Sequence, residues 1–261
     1  MNVTVLITSY NDRRIERTLE SIRNQTKKPD EILIADGGTE WDIKSVAEKY
    51  GARLEILTGN VVETRQKALN IINSDIIAFI DTDEVAPVTW LEKLTVPLLD
   101  GTADFTGGPT RHYEPKTGAE KYVNELEDFI YKYQVPMNIG FLPMGNSAWK
   151  KKIFDDIGGF DLNISGGSED YDVNLRAISK GYRGKFVEDA WVYHDHSDIN
   201  SYRKLIKKRY SYLRATAKTY IKNKSITQRI RTRTEGRIKH PFHYIESVMK
   251  PIALIDALIR K

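Results

Sequence analysis

The 261-residue chain contains no cysteine. That absence excludes disulfides, thiolate metal sites and a cysteine nucleophile, and nothing marks an oxidising compartment, so a cytoplasmic setting is expected. Long apolar runs are missing as well. No segment reaches the roughly 18 consecutive apolar residues that a membrane span needs, and the chain is not expected to cross a bilayer. The opening MNVTVLITSYNDRR has no basic leader before its apolar run and no small-residue cleavage site; it reads as a strand and not as a signal peptide. Internal repeats and low-complexity segments are also absent. What is present, 40% apolar and 10% aromatic residues, suffices for the core of one large domain or two small ones.

Charge is unevenly spread. Between Arg203 and Lys239 fourteen Lys or Arg face the single acid Glu235, whereas residues 1–202 carry 23 basic and 33 acidic side chains. A basic tail of this kind suits nucleic acid, an anionic membrane surface or an acidic ligand, and equally a plain solvated helix.

Over the first hundred residues strand and helix periods alternate. VTVLITSY, EILIADGG, LEILTG and DIIAFID read as strands; RRIERTLESIRNQ, IKSVAEKYG and ETRQKALNIIN read as helices, with Ile15, Leu19 and Ile22 on one face of the first. This predicts an α/β fold, a mainly parallel sheet flanked by helices. Ligands of such sheets bind beyond the carboxyl ends of the strands, where Ser9, Tyr10, Asn11, Asp36, Gly37 and Asp81 fall. Further on, ADFTGGPT reads as a strand, KTGAEKYVNELEDFIYKYQ as a helix, VPMNIGFLPMGNSAWKK as a substrate-shaping loop, and FVEDAWVYHDH as a final strand. A long basic helix is expected from Ser201. It precedes a segment in which Ile245, Val248, Met249, Ile252, Ile255, Leu258 and Ile259 recur at helical spacing, with Pro251 expected to break or kink it.

The apolar strand IIAFI ends in Asp81, Thr82, Asp83 and Glu84. In an extended chain Asp81 and Asp83 would face one common site, and two adjacent carboxylates call for a cation; oxygen donors of this kind suit Mg²⁺ or Mn²⁺ with a nucleotide's phosphates. A solvated strand end is the bland alternative.

ITSYND, IADGGTE, the Arg65 of ETRQKALN, FIDTDE, GNSAWKK, IGGFD, SEDYDVNLRAISKGY and VYHDH occur in the order and approximate spacing seen in family 2 glycosyltransferases of GT-A (Rossmann-like) fold. The resemblance spans roughly residues 1–197. It implies a nucleotide-binding half over 1–110, an acceptor-binding and catalytic half over 111–200, and a basic helical extension over 201–261.

The resemblance implies that Thr8, Ser9, Tyr10 and Asn11 hold the base and ribose of the nucleotide, and that Asp36, with Gly37, accepts a hydrogen bond from a uracil imide, favouring UDP. A simple turn is the other reading of Asp36-Gly37-Gly38. Arg65 corresponds to a basic residue near base or diphosphate, or is a surface arginine. Asp83 corresponds to the metal ligand, Asp81 to a residue reaching the ribose or a metal-bound water. His194 corresponds to a histidine that in some members approaches metal or diphosphate; a satisfied strand-end histidine is the alternative. Glu169-Asp170 opens a helix, where acids also simply cap. By resemblance Asp170 is the general base and Glu169 positions the acceptor, with Asp172 pointing elsewhere. Gly145 and Asn146 correspond to the wall around donor sugar and acceptor, or form a loop turn. His112 is a weak candidate for touching the acceptor, and His196 has no assigned role.

The implied activity is metal-dependent, inverting transfer of a hexose or N-acetylhexosamine from a UDP-sugar to a glycan or lipid-linked acceptor, with GDP-mannose as an alternative donor. For the extension three partners stay open: an anionic membrane surface on the inner face, the catalytic core, or a second copy of the chain in a homodimer. No nucleic acid is expected, because Tyr210, Tyr212 and Tyr220 are only a thin version of the stacking residues such binding needs. A nucleotidyltransferase would carry a glycine-rich phosphate loop after the first strand, which ITSYNDRR lacks.

Overall fold

A computed structural model describes residues 1–134, 142–164, 166–227 and 238–259. The first part of the expected substrate-shaping loop, 135–141, and the basic stretch 228–237 lie outside the described residues.

Strands β1 (Val3–Ser9), β2 (Glu31–Asp36), β3 (Arg53–Ile56) and β4 (Ile76–Asp81) are linked by helices α1 (Ile15–Arg23), α2 (Ile43–Tyr50) and α3 (Val61–Leu69). The helix ends have local causes. Gly51 closes α2 in the left-handed conformation, and Asn60 opens α3 with a capping box, accepting from the Val62 and Glu63 amides while Glu63 reaches back to the Asn60 N–H. Next come β5 (Glu84–Val85), α4 (Trp90–Leu99), β6 (Phe105–Gly107), β7 (Thr110–His112), α5 (Gly118–Phe129) with a π-helical turn over Ile130–Gln134, β8 (Ser147–Lys150), α6 (Lys152–Ile157), α7 (Glu169–Ser179), β9 (Gly184–Phe186) and β10 (Val192–His194). Helices α8 (Tyr202–Lys222), α9 (Lys224–Thr227) and α10 (Phe242–Ile259) follow.

The main sheet runs β3-β2-β1-β4-β8-β6-β9, parallel except for β8, which is antiparallel to both neighbours. Alternation along β1 feeds two cores. Val3, Val5 and Ile7 pack with α1, α2 and α4 on one face, while Leu6 packs with α3, α6 and α7 on the other. A second sheet, β5-β10-β7, sits at the end of β4.

Four expectations are corrected. ADFTGGPT forms two strands in different sheets, β6 and β7, because Gly108-Pro109 breaks the ladder and a Cβ on Gly108 would collide with the Ala190 carbonyl. FVEDAWVYHDH divides in the same way into β9 and β10, and GNSAWKK supplies β8, whose four residues are too few to show a period. Finally, α10 runs through Pro251 without a break. The lost backbone bond is offset by packing: Phe242 and Met249 join Tyr122, Val123, Leu126 and Leu205 in one core cluster.

Of the apolar residues that recur at helical spacing, α10 buries only Met249. Phe242, Glu246, Met249, Ala253 and Ala257 are buried, whereas Ile245, Val248, Ile252, Ile255, Leu258 and Ile259 are exposed. At the centre of the contact the Glu246 carboxylate accepts from Tyr122 Oη (2.7 Å) and from Arg209 Nε and Nη2 (2.8 and 3.1 Å). Truncating one member of a buried pair strands the other. Glu246→Ala is therefore expected to lose about 3 kcal/mol in a urea titration, and a loss near zero would show that the extension does not depend on this contact.

Candidate active site

Parallel register brings the strand ends together: Ser9 lies opposite Asp36 and Thr8 opposite Asp81. Ser9 is buried and its Oγ has no hydrogen-bond partner among the described residues. Tyr10 is 63% exposed, a free aromatic face beside the sheet edge. Asn11 adopts a left-handed φ of 52° and ties the two loops, its Oδ1 accepting from the Glu40 N–H and its own N–H donating to Thr39 Oγ1.

Asp36 differs from expectation. It is 0% exposed; Oδ2 accepts from the amides of Gly38 and Thr39 (2.9 and 2.7 Å), and Oδ1 accepts from Thr39 Oγ1. The carboxylate shapes the turn and presents no open face to a base. Gly37 is needed within that turn, since a Cβ there would lie 3.0 Å from the Gly59 carbonyl oxygen.

Asp81 and Asp83 do not share one site, because the chain turns at Thr82-Asp83 instead of staying extended. Asp81 Oδ1 accepts from Arg65 Nη2 (2.6 Å), and Arg65 Nη1 donates to Glu169 Oε1 (3.0 Å). Arg65 is buried, so this guanidinium clamps the end of β4 to the start of α7. A Cβ at Gly145 would lie 2.5 Å from Asp81 Oδ2, so only glycine leaves that oxygen its place.

Asp170, next to the clamped Glu169, is half-buried and makes no ion pair with a basic side chain among the described residues. Burial, and then the charge of Glu169, push its carboxyl up to about 7. The loop before it requires its glycines: Gly166 and Gly167 have φ of 92° and 94°, and Cβ atoms there would meet Ser211 and Tyr212 of α8. Ser211 Oγ donates to the Gly166 carbonyl (3.2 Å) and Thr219 Oγ1 to that of Ser168 (3.4 Å). Asp172 points away, accepting from Arg176, Lys222 and Asn223. The extension thus holds the acid-bearing loop from outside.

The small sheet organises a second group. His194 of β10 lies opposite Glu84 of β5 on one side and His112 of β7 on the other. Its Nε2 is 3.4 Å from Asp83 Oδ2 and its Nδ1 3.4 Å from Glu127 Oε2. Burial opposes its charge, but Glu127 and Asp83 outweigh that and raise its pKa well above the ordinary value. Burial likewise opposes ionisation of Asp83, yet His194 and Arg14, whose Nη2 is 3.6 Å away, hold its carboxyl below the usual range. Glu84 behaves oppositely: burial, then the charge of Asp81, push it well up, and its Oε2 accepts from the Asp81 amide (3.0 Å).

Asn146 is also corrected. It is 0% exposed and its amide is spent on Trp90 Nε1 and on the carbonyls of Pro109 and Ala190. It ties the start of β8 to α4 and to the chain at Pro109 and Ala190. Sequence reasoning missed Arg14, whose neighbourhood to Asp83 is tertiary, and Glu127. For Glu127 a signal existed: an acid directly following Leu126 and four residues after Val123 faces the apolar side of its helix.

Residues 4–160 match the family model for glycosyl transferase family 2, and the chain belongs to that family. It is a glycosyltransferase of GT-A fold. An uncharacterized glycosyltransferase of Methanocaldococcus jannaschii is 25% identical over 85% of this chain and 80% of its own length. Chondroitin synthase of Pasteurella multocida is 20% identical over 74% of the chain, which spans only 25% of that protein. Among solved structures, the mannosyltransferase PcManGT of Pyrobaculum calidifontis, in complex with GDP-Man and Mn²⁺, has a TM-score of 0.65 at 18% identity over 99% of this chain and 73% of its own. Segment 1–349 of S. aureus TarS in complex with UDP has a TM-score of 0.59 at 15% identity, covering 99% and 71%.

Proposed function

We propose that the protein catalyses inverting transfer of a hexose or N-acetylhexosamine from a UDP-sugar to a hydroxyl of a glycan or lipid-linked acceptor. The observation that carries this reading is the separation of the acids: Asp81 and Glu169 share the Arg65 guanidinium through hydrogen bonds, while Asp170 beside them makes no ion pair among the described residues. Asp170 takes the proton of the acceptor hydroxyl as that oxygen bonds to the anomeric carbon. The bond from that carbon to the diphosphate oxygen breaks on the opposite side, and its electron pair leaves with the nucleoside diphosphate. Glu169, held by Arg65, positions the acceptor. Thr8, Ser9, Tyr10 and Asn11 bind base and ribose, with Asp81 reaching the ribose.

Asp83 and His194 fit a divalent cation, since a carboxylate oxygen and an imidazole nitrogen already converge. The nitrogen donor favours Mn²⁺ over Mg²⁺, which prefers oxygen alone. When bound, such a cation offsets the charge of the diphosphate. GDP-mannose is the second donor reading: Asp36 offers no open carboxylate to a uracil, and PcManGT was solved with GDP-Man. Residues 1–110 form the donor half, 111–200 the acceptor half and 201–261 the extension. Incubation with a panel of UDP- and GDP-sugars in Mn²⁺, reading nucleotide release, tests the reading; no release from any of them would remove it.

The pH profile is a second test. A base must be ionised, so kcat/KM is expected to rise with pH and level off above about 7, the value to which Asp170 is raised. Glu169→Gln, by deleting the neighbouring charge, is expected to move that limb to lower pH. An unmoved limb would assign it to another group.

The exposed aliphatic row of α10, beside the lysines and arginines of α8, supports an anionic membrane surface as the partner of the extension. The protein is expected to sediment with phosphatidylserine vesicles and not with phosphatidylcholine vesicles. A stable dimer without affinity for either would assign the row to a second copy.

A further inference from the structure

Behind His194 lies a group of side chains that the transfer reaction does not use. His112 on β7, Glu127 on α5 and His196, two residues past the end of β10, each aim one donor atom at a common point, and these atoms all lie within 4.8 Å of one another. His196 Nε2 is 3.3 Å from Glu127 Oε1, and His112 Nδ1 is 3.9 Å from Glu127 Oε2. Both imidazoles are sheltered, with side chains 3% and 8% exposed; His112 Nε2 is also 3.4 Å from Asp128 Oδ1, yet among the described residues no nitrogen of either ring has a partner in hydrogen-bond geometry. A buried imidazole nearly always satisfies at least one nitrogen, so two adjacent rings with none satisfied need an explanation. The rings are 5.5 Å apart, centroid to centroid, with a carboxylate between them. A cation would give one nitrogen of each ring the well-aligned partner that the carboxylates, at 3.3–3.4 Å, do not supply.

We propose that His112, Glu127 and His196 form a second divalent-cation site, of the zinc type, distinct from the donor-binding cation site at Asp83 and His194. Two imidazoles and one carboxylate are a common zinc donor set and leave a fourth position for water. Affinity at nitrogen donors rises from Mn²⁺ to Zn²⁺, and the preference for Zn²⁺ is larger at this two-imidazole site than where one imidazole meets a carboxylate. The three ligands come from three separate elements, and an ion there pins β7, α5 and the chain after β10 to one another. It also fixes Glu127, whose other oxygen faces His194 Nδ1 at 3.4 Å, so the site sets the orientation of His194 from behind.

The test isolates this site from the other one. Full-length, untagged Asp83→Asn protein is stripped of metal, loaded with excess Zn²⁺, gel-filtered and analysed for zinc; Co²⁺ loading in parallel gives a spectroscopic reading. One zinc per chain is expected, with visible d–d bands from Co²⁺ of the intensity typical of four-coordination. Adding His196→Ala or Glu127→Gln is expected to abolish both, while circular dichroism shows the fold retained. Absence of stoichiometric zinc in the Asp83→Asn protein would overturn the proposal without recourse to the ligand variants. So would zinc retained equally when His196 is replaced. Because the assay reads metal content and not transfer, its result is independent of the donor and acceptor assigned above.

Discussion

Asp170→Asn is expected to lower turnover by about 10³-fold, within the range that a positioned base contributes, while nucleotide affinity stays within a factor of about two. The geometry sets this asymmetry. Glu169 is committed to Arg65 and Asp172 to Arg176, Lys222 and Asn223, so neither can substitute as proton acceptor. In the proposed reading nucleotide is held at the ends of β1 and β4, away from Asp170, and Asn preserves the shape of Asp170, including an oxygen that can accept from the Tyr171 amide as Oδ1 does (2.7 Å). Single-turnover rates beside nucleotide titrations separate the two quantities. A variant with wild-type turnover would remove Asp170 from the mechanism.

Asp83→Ala is expected to weaken Mn²⁺-supported nucleotide binding by more than about 100-fold, since replacing even an outer-shell partner of a metal ligand costs 10- to 100-fold. Its metal-independent binding is expected to change little, because Tyr10 and the β1 end are untouched. The substitution also leaves His194 and Arg14 without the carboxylate that lies 3.4 and 3.6 Å from them, so a modest fall in stability should accompany it. Equal affinity with and without Mn²⁺ in the wild type would place the diphosphate charge on Arg14 or another cation instead.

The strand ends were legible because a parallel sheet buried on both faces demands continuous apolar strands, and the first polar residues after them must lie at its edge. That logic located Ser9, Asp36 and Asp81 correctly, and β1 pairs with β2 and β4 in the register that brings them together. It did not show what each polar atom touches. Asp36 turned inward because the amides of Gly38 and Thr39 are its nearest donors, and Asn146 because Trp90 and two carbonyls needed partners; neither need is written in local sequence. Extended geometry was wrongly assumed through Asp83, where two residues of turn send Asp81 to Arg65 and Asp83 to His194. Glu127 was hidden inside an ordinary amphipathic helix, and its importance appears only when β7 and β10 align His112 and His194 beside it.

The most direct test of the central claim, that these strand ends bind a nucleoside diphosphate with a divalent cation, is calorimetric titration of the wild-type protein with UDP and with GDP, each with and without Mn²⁺. Saturable binding of one nucleotide that strengthens at least about tenfold with Mn²⁺ is the predicted result. No heat from either nucleotide in the presence of Mn²⁺ would contradict it.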